Sequence, residues 1–146
     1  MSATTTTATP TTTAVGAIAG RRTHLAVRAL QSLLALFLAI AGAAPKLVAH
    51  PSATESFDRI GYGDRYMYLV GSLELVGAIA LVIPILSGVS ALALMGLMIG
   101  AFITQVTVFD KQYALTPAVF FVLLALVARV RRNHTAQLIA RVRRHL

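Results

Sequence analysis

The sequence predicts an all-α integral membrane protein, a bundle of four transmembrane helices with both termini in the cytoplasm. Of the 146 residues, 57% are hydrophobic and only 12% are charged, and the mean hydropathy is +0.76. A soluble domain of this length would carry roughly twice that share of charged residues. The apolar residues also form stretches of about 18–21 residues, long enough for a helix to cross a hydrocarbon core of about 30 Å.

The chain divides into three predicted parts. Residues 1–24 are Thr-rich and of low complexity with a basic end, a composition typical of a disordered tail. Residues 25–130 contain the apolar stretches and are predicted to form the membrane domain, and residues 131–146 are predicted to be a basic amphipathic tail. The predicted spans are, in order, residues 25–44, 66–84, 89–109 and 113–130, with residues 50–65 as a polar loop between the first two.

The distribution of positive charge predicts the orientation of these spans. The formal net charge is +8, and the arginines concentrate before or at the mouth of the first span and after the last. Cytoplasmic segments of membrane proteins carry such an excess, so both tails are predicted to be cytoplasmic. No aromatic residues alternate with the basic ones, which argues against nucleic-acid binding. The arginines are Arg21, Arg22 and Arg28 at the first span and Arg129, Arg131, Arg132, Arg141, Arg143 and Arg144 at the last.

An alternative interpretation of the first span is a twin-arginine signal peptide. RRTHLAV, residues 21–27, precedes an apolar stretch that ends in AGAAP, residues 41–45, and this order resembles such a signal with its cleavage site. Arg28 and Gln31 interrupt the apolar region, and the spans that follow need no export route for soluble proteins. A transmembrane helix is therefore the favoured interpretation.

The basic tail has the pattern of a short amphipathic helix. In NHTAQLIARVRRHL, residues 133–146, Asn133 or Thr135 is a typical helix cap. On a helix, Leu138, Ile139, Val142 and Leu146 would share a face opposite Arg141, Arg143 and Arg144. We expect these three arginines to bind the anionic surface of the inner leaflet. A solvated tail that only enforces the orientation stays open as the alternative.

One acidic residue lies inside a predicted span. In GSLELVGAIALVIP, residues 71–84, Glu74 is about 12 Å from the outer end of span two by helix rise. A carboxylate in lipid is costly, so Glu74 should be paired, protonated or facing water. Lys46, at the outer end of span one, is the expected partner. Thr104 and Gln105 lie near the outer end of span three, and these four residues form the candidate ligand site. The alternative, which stays open, is that Glu74 is neutral and only joins two helices by a hydrogen bond.

Small residues on a membrane helix usually mark the side that packs against other helices. In span two, Gly71 and Gly77 share a face with Glu74, and in span three Gly96 and Gly100 form a GxxxG pattern. We expect both faces to pack inside the bundle.

The chain offers little for catalysis or metal binding. It has no Cys, and so no disulfide, thiolate ligand or thiol redox chemistry of its own. The four His residues lie in the predicted tails or the first loop, so a haem held by two histidines on facing helices is not expected. We predict no catalytic residue, no metal site and no intrinsic cofactor.

Four motifs, in this order, resemble the DoxX-like family of small bacterial membrane proteins. AGAAPKLVAH, from Gly42 or Ala43 to Lys46, resembles the family's Gly-x-x-Lys-Leu pattern, and FDRIGYG follows it. LELVGAIALVIP contains a Glu-x-x-Gly-Ala core, and GAFITQ lies near the end of span three. The motifs cover the whole predicted bundle and leave the Thr-rich head and the basic tail outside.

The resemblance implies a multi-pass protein of the bacterial inner membrane. Some relatives are linked to thiosulfate–quinone oxidoreduction or to oxidoreductase complexes that handle thiol and oxidative stress. This implies an accessory or quinone- or lipid-binding subunit that is not catalytic on its own, with a membrane or periplasmic oxidoreductase as partner; a homo-oligomer stays open. The alternatives are a small transporter or permeation protein that uses Glu74 as its proton or solute site, although no transporter-like repeat is visible, and a structural membrane protein without a ligand.

Overall fold

The fold is described by a computed structural model, which covers residues 11–111 and 113–145. The helices, in chain order, are α1 (Thr11–Phe37), a π-helical segment (Leu38–Ala43), α2 (Ala44–Leu47), α3 (Pro51–Ile60), α4 (Gly63–Val82), α5 (Ser87–Thr107), α6 (Leu115–Val130) and α7 (Arg132–His145). No strand occurs in this part of the chain, so the all-α prediction is confirmed.

Within the described residues, three helical stretches are long and apolar enough to cross a membrane. They are Gly20–Leu47, Gly63–Val82 and Ser87–Thr107, with 28, 20 and 21 residues, and they correspond to the first three predicted spans. Helix α6 corresponds to the fourth, but it has only 16 residues, or about 24 Å by helix rise. Many large apolar side chains on these helices are exposed, for example Leu33, Val76 and Val122 at 66%, 65% and 64%, as expected of residues that face lipid.

The predicted disorder of residues 1–24 differs from the structure over its second half. Helix α1 begins at Thr11 and continues without interruption into the first span, whereas residues 1–10 lie outside the described part. Several alanines in residues 11–24 favour helix, and extending an existing helix avoids the cost of a new nucleus. The apolar span can thus propagate its helix backwards into a segment with no packing pattern of its own.

The predicted polar loop at residues 50–65 is also partly helical. The side chain of His50 accepts a hydrogen bond from the backbone N–H of Ser52, and Pro51 occupies the first turn of α3. Both features are typical of a helix start. Gly61 ends α3 in the left-handed conformation, with φ +84°, which glycine adopts without strain.

The core lies between α1, α4, α5 and α6. Among its most buried residues are Leu34, Leu81, Leu94, Leu124 and Val127. Helices α4 and α5 approach closely at Gly77, where a Cβ atom would lie 2.6 Å from Cδ2 of Leu94. The hydroxyl of Ser90 donates a hydrogen bond to the Gly77 carbonyl over 2.6 Å, so the small residue permits both contacts.

The π-helical segment separates α1 from α2. The N–H of Ala44 donates to the carbonyl of Ala39, five residues earlier. Pro45 follows immediately and has no N–H, so a regular α-helical ladder cannot continue through it; irregular helical turns are common at such positions. A π turn holds about one residue more than an α turn. The side chains after it, including that of Lys46, therefore point in a different direction about the helix axis than they would on a continuous α-helix.

Candidate functional site

The ammonium of Lys46 and the carboxylate of Glu74 form an ion pair between α2 and α4. Nζ of Lys46 lies 2.6 Å from Oε2 of Glu74, and it also donates to the carbonyl of Gly42 over 2.7 Å. Glu74 is 6% exposed, so its carboxylate is buried inside the bundle. The structure thus brings together the two charged residues that the sequence pointed to.

Two glycines allow α4 to come close enough to form this pair. A Cβ atom at Gly71 would lie 2.9 Å from Cβ of Lys46, a separation that real Cβ atoms do not adopt. A Cβ atom at Gly42 would lie 3.2 Å from Oε2 of Glu74. The small residues of span two therefore pack as expected, and they position the ion pair.

The pair borders a cavity of about 530 Å³. Most of the lining residues are apolar or small, and they come from the end of the first span, from α3, from α4 and from α5. They include Pro45, Ser56, Phe57, Tyr66, Val70, Leu97, Ala101 and Phe109. Phe57 of α3 is buried, and its ring centroid lies 5.9 Å from that of Tyr66. Helix α3, which lies in the segment predicted as a polar loop, therefore covers part of the cavity.

Thr104 and Gln105 line the same cavity as Lys46 and Glu74. The hydroxyl of Thr104 donates to the carbonyl of Gly100 over 2.9 Å, which satisfies its donor within α5. Oε1 of Gln105 is buried and has no hydrogen-bond partner among the described residues. An unsatisfied buried acceptor is costly, and it is a reason to look for a donor that a ligand would supply.

The GxxxG pattern does not pack as expected. Gly96 and Gly100 are exposed, and no heavy atom lies within 4 Å of the position that a Cβ atom would take at either. Both residues line the cavity. The expectation that this face packs against another helix is therefore wrong for the described part of the chain, because the cavity occupies the space beside it.

A second polar network, at the other end of the bundle, was missed. The side-chain amide of Gln31 donates to the carbonyl of Leu81 over 3.0 Å, and Gln31 Oε1 accepts from a guanidinium nitrogen of Arg131 over 2.9 Å. Burial and the nearby charge of Arg28 lower the pKa of Arg131. These contacts tie α1 to the ends of α4 and α6. The sequence signal for this network is Gln31, a polar residue inside an apolar stretch.

The basic tail forms helix α7, which packs on α5 and α6. Arg143 and Arg144 are exposed, as are Ile139 and Val142 of the predicted apolar face. The side chains of Arg141 and Leu138 lie outside the described residues. The tail is thus helical, whereas binding of its arginines to a membrane surface stays a prediction.

Comparison with known proteins identifies the family. Neither the curated proteins nor the solved structures gave a match to this chain. The model of the DoxX-like family matches residues 29–127. This range contains the ion pair, the cavity-lining residues of α5, the whole of α4 and α5 and most of α6. The chain therefore belongs to the DoxX-like family.

Proposed function

We propose that this DoxX-like protein is an accessory membrane subunit of a redox or oxidative-stress system, and that it holds the head group of a quinone or a similar lipid in the cavity beside Lys46 and Glu74. The observation that carries the proposal is a roomy, largely apolar cavity lined by one charge-balanced ion pair and by a buried acceptor, Gln105 Oε1, that has no hydrogen-bond partner among the residues that the structure describes.

The charges of the cavity favour a neutral ligand. Glu74 compensates Lys46, and the other lining residues are uncharged, so an anionic head group would meet a net charge near zero. A volume of about 530 Å³ lies within the usual range of about 300–1,000 Å³ for small-molecule sites. Apolar walls with a few polar groups are also typical of such sites.

The polar atoms match the two redox forms of a quinone ring. The ammonium of Lys46 has three protons, of which Glu74 and Gly42 accept two, and the third can be donated to a quinone carbonyl. The free Oε1 of Gln105 can accept a hydrogen bond from a quinol hydroxyl. A bound quinone would supply the two-electron chemistry that the chain's own side chains lack. The electrons would be exchanged with a membrane or periplasmic oxidoreductase partner.

The proposed topology has four spans, with both tails in the cytoplasm of a bacterium and the cavity in the outer half of the inner membrane. The support is the charge asymmetry: nine of the eleven arginines flank the first and last predicted spans, before residue 29 or after residue 128, and all five Asp and Glu residues lie between residues 55 and 110. Helix α6 would cross as a short fourth span, which a locally thinner bilayer accommodates at modest cost.

Binding of quinone to the purified protein tests the proposed function. Quinone that co-purifies in mild detergent is identified and counted by mass spectrometry, and affinity is measured with an added quinone. Gln105→Leu removes the free acceptor and should weaken binding by about two- to tenfold, the effect of one neutral hydrogen bond. The Gln105→Leu substitution should not lower the free energy of unfolding, because it removes an unsatisfied buried atom.

Thr107→Val is the matched control. Thr107 is exposed on the same helix, and its hydroxyl donates to the carbonyl of Ile103, so this variant should bind quinone as the wild type does. Absence of quinone binding by the wild-type protein, or equal binding by the Gln105→Leu variant, would contradict the proposed function.

A further inference from the structure

The cavity is bounded by two helical segments that both pack on α4. The π-helical segment packs on α4 and on α2, whereas α5 packs on α4, α6 and α7. Residues from the π-helical segment and from α5 nevertheless line the same cavity. Helix α4, which carries Glu74, therefore forms the floor between them.

Five small residues line the cavity between the π-helical segment and α5. Ala41 and Gly42 lie on the π-helical segment, and Gly96, Gly100 and Ala101 lie on α5. Of these five residues, Gly42 is half-buried and the other four are exposed. Since no heavy atom lies within 4 Å of the Cβ position at Gly96 or at Gly100, this side of the cavity has an opening.

The depth of this opening determines whether it faces water or hydrocarbon. Gly96 is nine residues from the start of α5 at Ser87 and eleven from its end at Thr107, so it lies about 14 Å and 17 Å from the two ends by helix rise. The opening therefore reaches the middle of a span, where the surrounding medium is hydrocarbon and not water. Gln105, in contrast, lies about 3 Å from the outer end.

We infer that the ligand enters the cavity laterally from the bilayer, and that its apolar tail leaves between the π-helical segment and α5, across Gly96 and Gly100. This inference rests on the proposed function, and it narrows the ligand to a tailed amphiphile such as an isoprenoid quinone. The head group would meet Lys46, Glu74 and Gln105 in the outer half, and the tail would run toward the bilayer midplane. The missing side chains at Gly96 and Gly100 make the passage for the tail.

The experiment compares a tailless benzoquinone with the same ring carrying an isoprenoid tail. Both are titrated against the purified protein in neutral detergent. Gly96→Phe should weaken binding of the tailed quinone about tenfold or more, the range of an overpacking clash, and should change binding of the tailless ring less than about twofold. Gly100→Leu, which narrows the same passage one turn away, should discriminate in the same direction.

Ala93→Phe is the matched control, because Ala93 is exposed on α5 near Gly96 but does not line the cavity; it should affect neither ligand. Equal weakening of both quinones by Gly96→Phe and Gly100→Leu, or no weakening of the tailed one, would overturn the lateral route while leaving the proposed function intact. Failure of the wild-type protein to bind either quinone would contradict the proposed function itself, and the route with it.

Discussion

Separating the ion pair should destabilise the bundle, and a double-mutant cycle measures by how much. Glu74→Gln leaves a largely buried ammonium without its counter-charge, and Lys46→Met does the same to the carboxylate. At the observed 2.6 Å and an effective dielectric constant of about 20, the attraction is about 6 kcal/mol. Desolvation of both groups offsets a large part of it.

The free energy of unfolding in mixed micelles is therefore expected to fall by about 3–5 kcal/mol for each single variant, as for broken buried pairs in soluble proteins. The double variant should lose about 2–3 kcal/mol less than the sum of the single losses. Lys46 retains 19% side-chain exposure and Glu74 8%. Because Lys46 is the more exposed partner, its ammonium loses less when it is left alone, and Glu74→Gln is expected at the lower end of the range.

The exposed pair Glu55–Arg59 on α3 is a matched control. Its atoms lie 3.1 Å apart, and its side chains are 68% and 61% exposed, so Glu55→Gln and Arg59→Met should couple by no more than about 0.5 kcal/mol. A silent Glu74→Gln variant, or a coupling energy between Lys46 and Glu74 as small as that of the control pair, would refute the reasoning.

Three further predictions concern topology, packing and the tail. A single cysteine at Ser52 should react with a membrane-impermeant thiol reagent in intact cells, whereas one at Ile83 should react only after permeabilisation; the reverse pattern would overturn the orientation. Gly77→Ala should lower the free energy of unfolding by about 1–3 kcal/mol, because of the contact with α5, and Gly96→Ala should leave it unchanged or raise it by up to about 1 kcal/mol; equal losses would contradict the packing described. A peptide of residues 132–146 should become helical with anionic vesicles but not with neutral ones, by circular dichroism; an unstructured peptide would favour a solvated tail.

Several features could be predicted because one physical rule decides each of them. Apolar length identified the first three spans, since a backbone in hydrocarbon has to be helical. The pairing of Glu74 with Lys46 followed from the cost of a lone charge at that depth. Gly71 was predicted to lie on the packed face of span two, and it does lie there, because a larger residue would collide with Lys46.

Other features depended on contacts between distant parts of the chain. Gln31 and Arg131 are one hundred residues apart, and no local pattern connects them. Gly96 and Gly100 have the same local signature as packed glycines, and only the tertiary structure leaves a cavity beside them. Helix α3 was missed although Pro51 and Gly61 mark its two ends, because its composition is too polar for a membrane span.

Photolabelling would test most directly whether the cavity is the binding site. A photoreactive quinone with an isoprenoid tail is cross-linked to the protein in native membranes, and the modified residues are identified by peptide mass spectrometry. The structure predicts labelling of cavity residues of α3, α4 and α5, for example Phe57, Val70 and Leu97, and its suppression by excess unlabelled quinone. Labelling confined to exposed residues outside the cavity, such as Leu115 and Val122, and unchanged by the competitor, would contradict it.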